Sequence, residues 1–131
     1  MITLLVDHNV EFQVQLIWST FSAADWYAIG VRGLFQLDEC GLSPESSDRI
    51  VWNYGQLHGL LLVTANRNQD GEDSLQTTIA ELNHAMALPV LTIGDPDSVK
   101  EPRYREDCAY RVADIAIRLD ELRGTGRLFI P

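Results

Sequence analysis

This 131-residue chain predicts a three-layer α/β/α sandwich around a mostly parallel sheet of about five strands, on three observations. Short apolar runs rich in β-formers recur along it, clearest at Ile2-Thr3-Leu4-Leu5-Val6 and Leu60-Leu61-Leu62-Val63. Continuous runs of this kind suit strands buried on both faces, as in a parallel sheet covered by helices. Between them lie segments whose apolar residues return at helical spacing, which gives a βαβ series. Each run also stops abruptly in polar residues, at Asp7-His8-Asn9 and at Thr64-Ala65-Asn66-Arg67-Asn68-Gln69-Asp70. The carboxyl ends of parallel strands form the ligand crevice of such sheets, so these two clusters can share a site.

The remaining elements follow in order. Phe12, Leu16, Ile17 and Phe21 recur at helical spacing after the first strand, with Trp18 and Trp26 adding aromatic bulk. They predict a helix from about Val10 to Ala24, or on to Ile29, ending near Gly30 and Gly33. Leu34 to Leu37 is a short second strand running into Asp38-Glu39-Cys40-Gly41. Ser43-Pro44-Glu45-Ser46 reads as a helix start: a capping serine, proline at the first helical position, an acid in the first turn. Ile50, Val51, Tyr54 and Leu57 form that helix's apolar stripe, and Gly59 stops it. The third strand is Leu60 to Thr64; a polar loop follows, and Asp73 or Ser74 caps a helix carrying Leu75, Ile79, Leu82 and Met86. Pro89 to Ile93 is a fourth strand, closed by the turn Gly94-Asp95-Pro96-Asp97, with an exposed loop expected up to Arg103. Cys108, Val112, Ile115, Ala116, Leu119 and Leu122 mark the last helix. Arg127-Leu128-Phe129-Ile130 is the final strand. Pattern alone leaves the strand order open.

Composition narrows the function classes. One domain over residues 1–131 is expected, with apolar and charged fractions of 46% and 22% that are those of an ordinary globular protein. Cys40 and Cys108 form no CxxC or other metal spacing; a disulfide stays open, but two reduced, partly buried thiols of a cytoplasmic protein are the expectation. Asp7 and Glu11 interrupt any secretory signal, and no run approaches the ~18 apolar residues of a membrane span. The net charge of −9, with one lysine and nine scattered arginines, disfavours a long nucleic-acid partner and favours a small molecule, a protein or a metal. Neither GxGxxG nor GxxxxGK occurs, so no nucleotide cofactor is expected, and no GxSxG elbow supplies a nucleophile.

Several polar residues carry a functional and a structural reading side by side. Asp7 either caps the following helix, a role open to Asn9 as well, or binds a metal or phosphoryl group. A carboxylate at the end of a buried strand is costly unless paired or coordinated, which favours the second. Asp48, early in the second helix, is explained by the helix dipole if taken alone. Asn66, Asn68, Asp70, Glu72 and Asp73 crowd a loop that composition alone describes as a solvated turn. Asp38 and Glu39 are as readily an exposed strand end, and Asp95 and Asp97 an ordinary turn. His8, His58 and His84 have no zinc-ligand spacing. Asp107 with Arg111, and Asp114 with Arg118, are i,i+4 pairs expected to stabilise a helix face.

Taken in order, Leu5-Val6-Asp7-His8-Asn9, Cys40-Gly41-Leu42-Ser43, Ser47-Asp48-Arg49-Ile50 and Leu62-Val63-Thr64-Ala65-Asn66-Arg67-Asn68 resemble the small prokaryotic PIN-like domains. These are relatives of the toxin ribonucleases of toxin–antitoxin pairs. Their pattern is a strand ending Asp-Glu-Asn, a Gly-Leu before a helix beginning Ser-Asp-x-x-Ile, and a strand ending Val-Thr-x-Asp-x-Asp-Phe. The similarity spans nearly the whole chain, including Gly126 to Ile130.

The resemblance implies catalytic roles for Asp7 and Asp48 and a metal shell of Asp7, Asp48, Asn66, Asn68 and Asp70. It implies Mg²⁺ or Mn²⁺ as the cofactor, orienting water for attack on a phosphodiester, with RNA as the substrate. The sequence departs from the pattern at four positions. His8 stands for glutamate, Asn66 and Asn68 for the two aspartates of the third motif, and Gln69 for phenylalanine. An amide oxygen still ligates a hard cation but adds no formal charge, so metal affinity should fall steeply. Two functions are therefore expected in competition. One is a divergent nuclease with weak or lost activity. The other is a non-catalytic module that binds a protein partner or a second copy of itself, marked by exposed Trp18, Trp26 or Trp52.

Overall fold

A computed structural model describes residues 1–66 and 71–131. Its five strands are β1 (Ile2–Val6), β2 (Val31–Gln36), β3 (Leu60–Thr64), β4 (Val90–Ile93) and β5 (Arg127–Ile130). They form one sheet in the order β2-β1-β3-β4-β5, every pairing parallel. β3 and β4 are buried at every position, the burial expected of central strands covered on both sides.

The helices are α1 (Glu11–Trp18), α2 (Ala23–Ile29), α3 (Asp48–His58), α4 (Leu75–Leu82), α5 (Pro102–Ile117) and the single turn α6 (Leu119–Leu122). On one face, Leu4, Val6, Leu61, Val63 and Leu91 pack with Val14 and Ile17 of α1, Trp26 of α2 and Val112 and Ile115 of α5. On the other, Leu5, Leu60, Leu62 and Val90 pack with Val51 and Trp52 of α3 and Leu75 and Ile79 of α4. This is the predicted three-layer sandwich. No helix among the described residues is long and apolar enough to cross a membrane.

Local chemistry sets the boundaries, and several differ from the pattern-based expectations. The first helix is two helices. Ser22 accepts a hydrogen bond from the Asp25 N–H at 3.1 Å, capping a new start at Ala23, and Gly30 at φ +114° ends it. The buried stripe of α1 is Val14 and Ile17, continuing from Val10, while Phe12 is 69% exposed. Gly33 is no helix stop but lies inside β2. The second helix starts later than Ser43-Pro44: Ser47 is the cap, its Oγ accepting from the Ile50 N–H at 3.3 Å, and Asp48 is the first helical residue. Gly59 stops α3 as expected, at φ +66°. Ser74 caps α4, and Met86 lies beyond that helix and is exposed. The expected loop before Arg103 is a 3-10 turn over Pro96–Lys100 that buries Val99 completely. Arg111 pairs with Asp114 at 3.0 Å rather than with Asp107, which faces Arg103; the expected Asp114–Arg118 pair forms at 3.2 Å.

Both cysteines are free thiols. Cys108 is fully buried against α5's core neighbours, and burial, with Asp107 adding to it, pushes its thiol up to about 12. Such a group is a packing residue rather than a nucleophile.

The Thr78 hydroxyl in α4 is fully buried and has no hydrogen-bond partner among the described residues. A buried unmade hydrogen bond costs about 1–3 kcal/mol, so Thr78→Val, of nearly the same shape, is expected to stabilise the fold by about 1 kcal/mol. A denaturant midpoint that moves down instead would show that the hydroxyl is satisfied in solution.

Candidate functional site

The strand order reverses at β1: the chain runs outward to β2 on one side, then to β3, β4 and β5 on the other. The crevice at such a switch point opens at the carboxyl ends of β1 and β3. Asp7 and Thr64 stand there, one directly after β1 and the other closing β3.

A chain of hydrogen bonds connects them to the start of α3. Asp7 is fixed at its backbone, where its N–H donates to the Val63 carbonyl at 3.0 Å. Its side chain is 13% exposed, and its Oδ2 accepts from the Thr64 hydroxyl at 2.8 Å. Thr64 Oγ1 in turn accepts the Asn66 backbone N–H at 2.9 Å. Asn66 then reaches sideways, its Nδ2 donating to Asp48 Oδ2 at 2.8 Å. That same carboxylate oxygen accepts the Leu75 N–H at 3.0 Å, at the first turn of α4, where the helix dipole favours a negative charge. Asp48 thus joins the amino-terminal ends of α3 and α4 to the loop after β3.

Two basic side chains flank this chain. His8, half exposed, places Nδ1 3.3 Å from Asp7 Oδ1. Arg127, the first residue of β5, reaches across β4: its Nη1 donates to the Thr92 hydroxyl and to the Asn66 carbonyl, both at 2.7 Å. Arg49, next to Asp48, is turned away from the crevice and clamps Asp73 at 3.0 Å and Glu81 at 2.7 Å. The Ser43 hydroxyl and a backbone N–H hold the Glu45 carboxyl below its usual range, with the His8 ring adding to the effect.

Three of the five residues expected at a site, Asp7, Asp48 and Asn66, are therefore brought into one hydrogen-bonded chain; Asn68 and Asp70 lie outside the described residues. The other acids serve local structure. Asp38 and Glu39 accept backbone N–H groups of their own turn, and Asp95 accepts the Ser98 hydroxyl. Thr64 and Arg127 were not singled out by sequence. Thr64 had one legible signal, a polar residue closing an apolar run, whereas an arginine opening a strand is ordinarily a solvated edge residue.

These hydrogen bonds test whether the residues suit a divalent cation. A carboxylate only accepts, so the Asn66 group facing Asp48 is the amide NH₂, and a nitrogen donor is no ligand for a hard cation. One oxygen of Asp7 and one of Asp48 already accept protein donors. Among the described residues no three His, Cys, Asp or Glu side chains group closely enough to hold a metal ion. In this arrangement the described residues do not fit a hydrolytic Mg²⁺ or Mn²⁺ centre. No protein-family model matches the chain, and neither a curated protein nor a solved structure matches it.

Proposed function

We propose that this chain is a divergent PIN-like domain in which metal-dependent, RNA-directed phosphodiester hydrolysis is weak or lost. One observation carries the reading. Asp7, Asp48 and Asn66 come from three motif positions widely separated in sequence, yet they meet in a single hydrogen-bonded chain at the switch-point crevice. That convergence supports a lineage in which the crevice was a reaction site. The donor set supports the loss: an amide faces Asp48 where a hydrolytic centre needs another charged oxygen. Of the markers of the competing interaction module, two are buried and the third is half-buried. Trp26 and Trp52 are 0% and 4% exposed, and Trp18 is half-buried, stacked on Trp26.

The test is cleavage of an end-labelled single-stranded RNA by the wild type, Asp7→Ala and Asn66→Asp, each in Mn²⁺ and in EDTA. The wild type should stay at or just above the Asp7→Ala background, and Asn66→Asp in Mn²⁺ should exceed it by about tenfold or more, equivalent to about 1.4 kcal/mol of barrier. Rapid Asp7-dependent cleavage by the wild type would contradict the lost activity. An Asn66→Asp protein that binds Mn²⁺ and still leaves RNA intact would overturn the nuclease lineage.

A further inference from the structure

We infer that the side-chain amide of Asn66 does for Asp48 what a bound cation would do, so the native site is closed to divalent ions and one substitution makes it depend on them. The inference concerns the carboxylates alone and stands whether or not RNA is the substrate. Asp48 Oδ2 lies 2.8 Å from Asn66 Nδ2 and 3.0 Å from the Leu75 backbone nitrogen. Both neighbours are hydrogen donors, and together they supply the positive potential that a partly buried carboxylate requires. The arrangement is held from behind by Arg127, on the Asn66 carbonyl, and by Thr64, which joins the Asn66 N–H to Asp7. These contacts fix the Asn66 backbone, and turning the amide oxygen toward Asp48 would set two acceptors against each other.

Exchanging that NH₂ for oxygen reverses the logic. Asn66→Asp sets two carboxylate oxygens at hydrogen-bond distance with no donor between them, a contact relieved by a shared proton or by a cation. Asp7 is linked to the same residue through Thr64, so the variant carries three acids along one hydrogen-bonded chain, and carboxylate oxygens are the ligands a hard divalent ion takes.

Thermal unfolding of these proteins in EDTA, 10 mM Mg²⁺ and 10 mM Mn²⁺ tests the inference. The wild type should unfold at the same temperature in all three. Asn66→Asp should unfold several degrees lower in EDTA and recover by roughly 5–10 °C in Mn²⁺, the shift expected when a ligand reaches 10–100 times its dissociation constant in a domain of this size. If Asn66→Asp folds only in Mn²⁺, the inference holds. Two results overturn it: a wild type stabilised by Mn²⁺ through Asp48, or an Asn66→Asp protein indifferent to metal. RNA cleavage enters none of these readouts, so failure here is separable from failure of the nuclease reading.

Discussion

Trp26→Ala is expected to destabilise the fold by about 4 kcal/mol, within the range for truncating a buried aromatic and a large share of the 5–15 kcal/mol that holds a domain together. Trp26 is fully buried and stacks on Trp18 with ring centroids 4.9 Å apart and planes within 4°. Phe21 tilts against it at 4.8 Å. Its indole N–H donates to the Trp18 carbonyl at 2.7 Å, tying α2 to the end of α1 across the break at Ser22. Alanine removes the ring, leaves that carbonyl without its donor, and enlarges an apolar void of about 10 Å³ that Trp26 already borders with Leu4, Val14 and Val63. The rigid sheet beneath limits collapse into the space. Trp26→Phe should keep most of the stacking and lose about 1–2 kcal/mol, mainly the hydrogen bond. Denaturant midpoints measure both. A loss below about 1.5 kcal/mol for the alanine variant would show that α2 repacks freely.

Arg127→Met should cost about 2–3 kcal/mol, the second largest effect. Methionine keeps the apolar stem but ends the two 2.7 Å bonds to the Thr92 hydroxyl and the Asn66 carbonyl, and Thr92 is fully buried. Hydrogen bonds to a charged donor contribute about 1.5–3 kcal/mol, and a buried hydroxyl left alone adds its own penalty. The loss should have a local signature as well. Asn66 is held by Arg127 behind, Thr64 at its N–H and Asp48 at its amide, so faster hydrogen exchange at the Asn66 N–H should accompany the fall in stability. Arg127→Lys should recover only part, since an ammonium cannot reproduce the guanidinium fork. Unchanged exchange at Asn66 would separate Arg127 from the site and leave it a strand-packing residue.

Much of this architecture was legible because strands buried on both sides leave an unbroken apolar run, as β1 and β3 do, and because serine and glycine punctuate helix ends. The misses have physical causes. In α1 the aromatic bulk of Phe12 drew the stripe, but Val10, Val14 and Ile17 are the residues that reach the sheet. β2 is an edge strand that turns Phe35 outward and carries Gly33, so it reads as a helix stop followed by a shorter strand. At the site, Asp7 stood out by its place at the end of a buried strand, whereas Asp48, explained locally by the helix dipole, stood out only through the motif order that resembles the PIN-like domains. The partners that complete the network come from far along the chain, with Thr64 meeting Asp7 across 57 residues and Arg127 meeting Asn66 across 61. No local periodicity encodes such pairings. They follow from strand order, which apolar pattern does not specify.

The most direct test of the central claim, that this crevice satisfies its carboxylates from within the protein, is a calorimetric titration of Mn²⁺ into the wild-type chain with Asp48→Ala as the reference. The account predicts the same featureless heat for both up to millimolar concentrations, because the Asp48 oxygen facing Asn66 already holds two protein donors. Saturable binding near or below about 100 μM, an interaction of roughly 5 kcal/mol or more that vanishes in Asp48→Ala, would contradict it and restore a working metal site to the ends of β1 and β3.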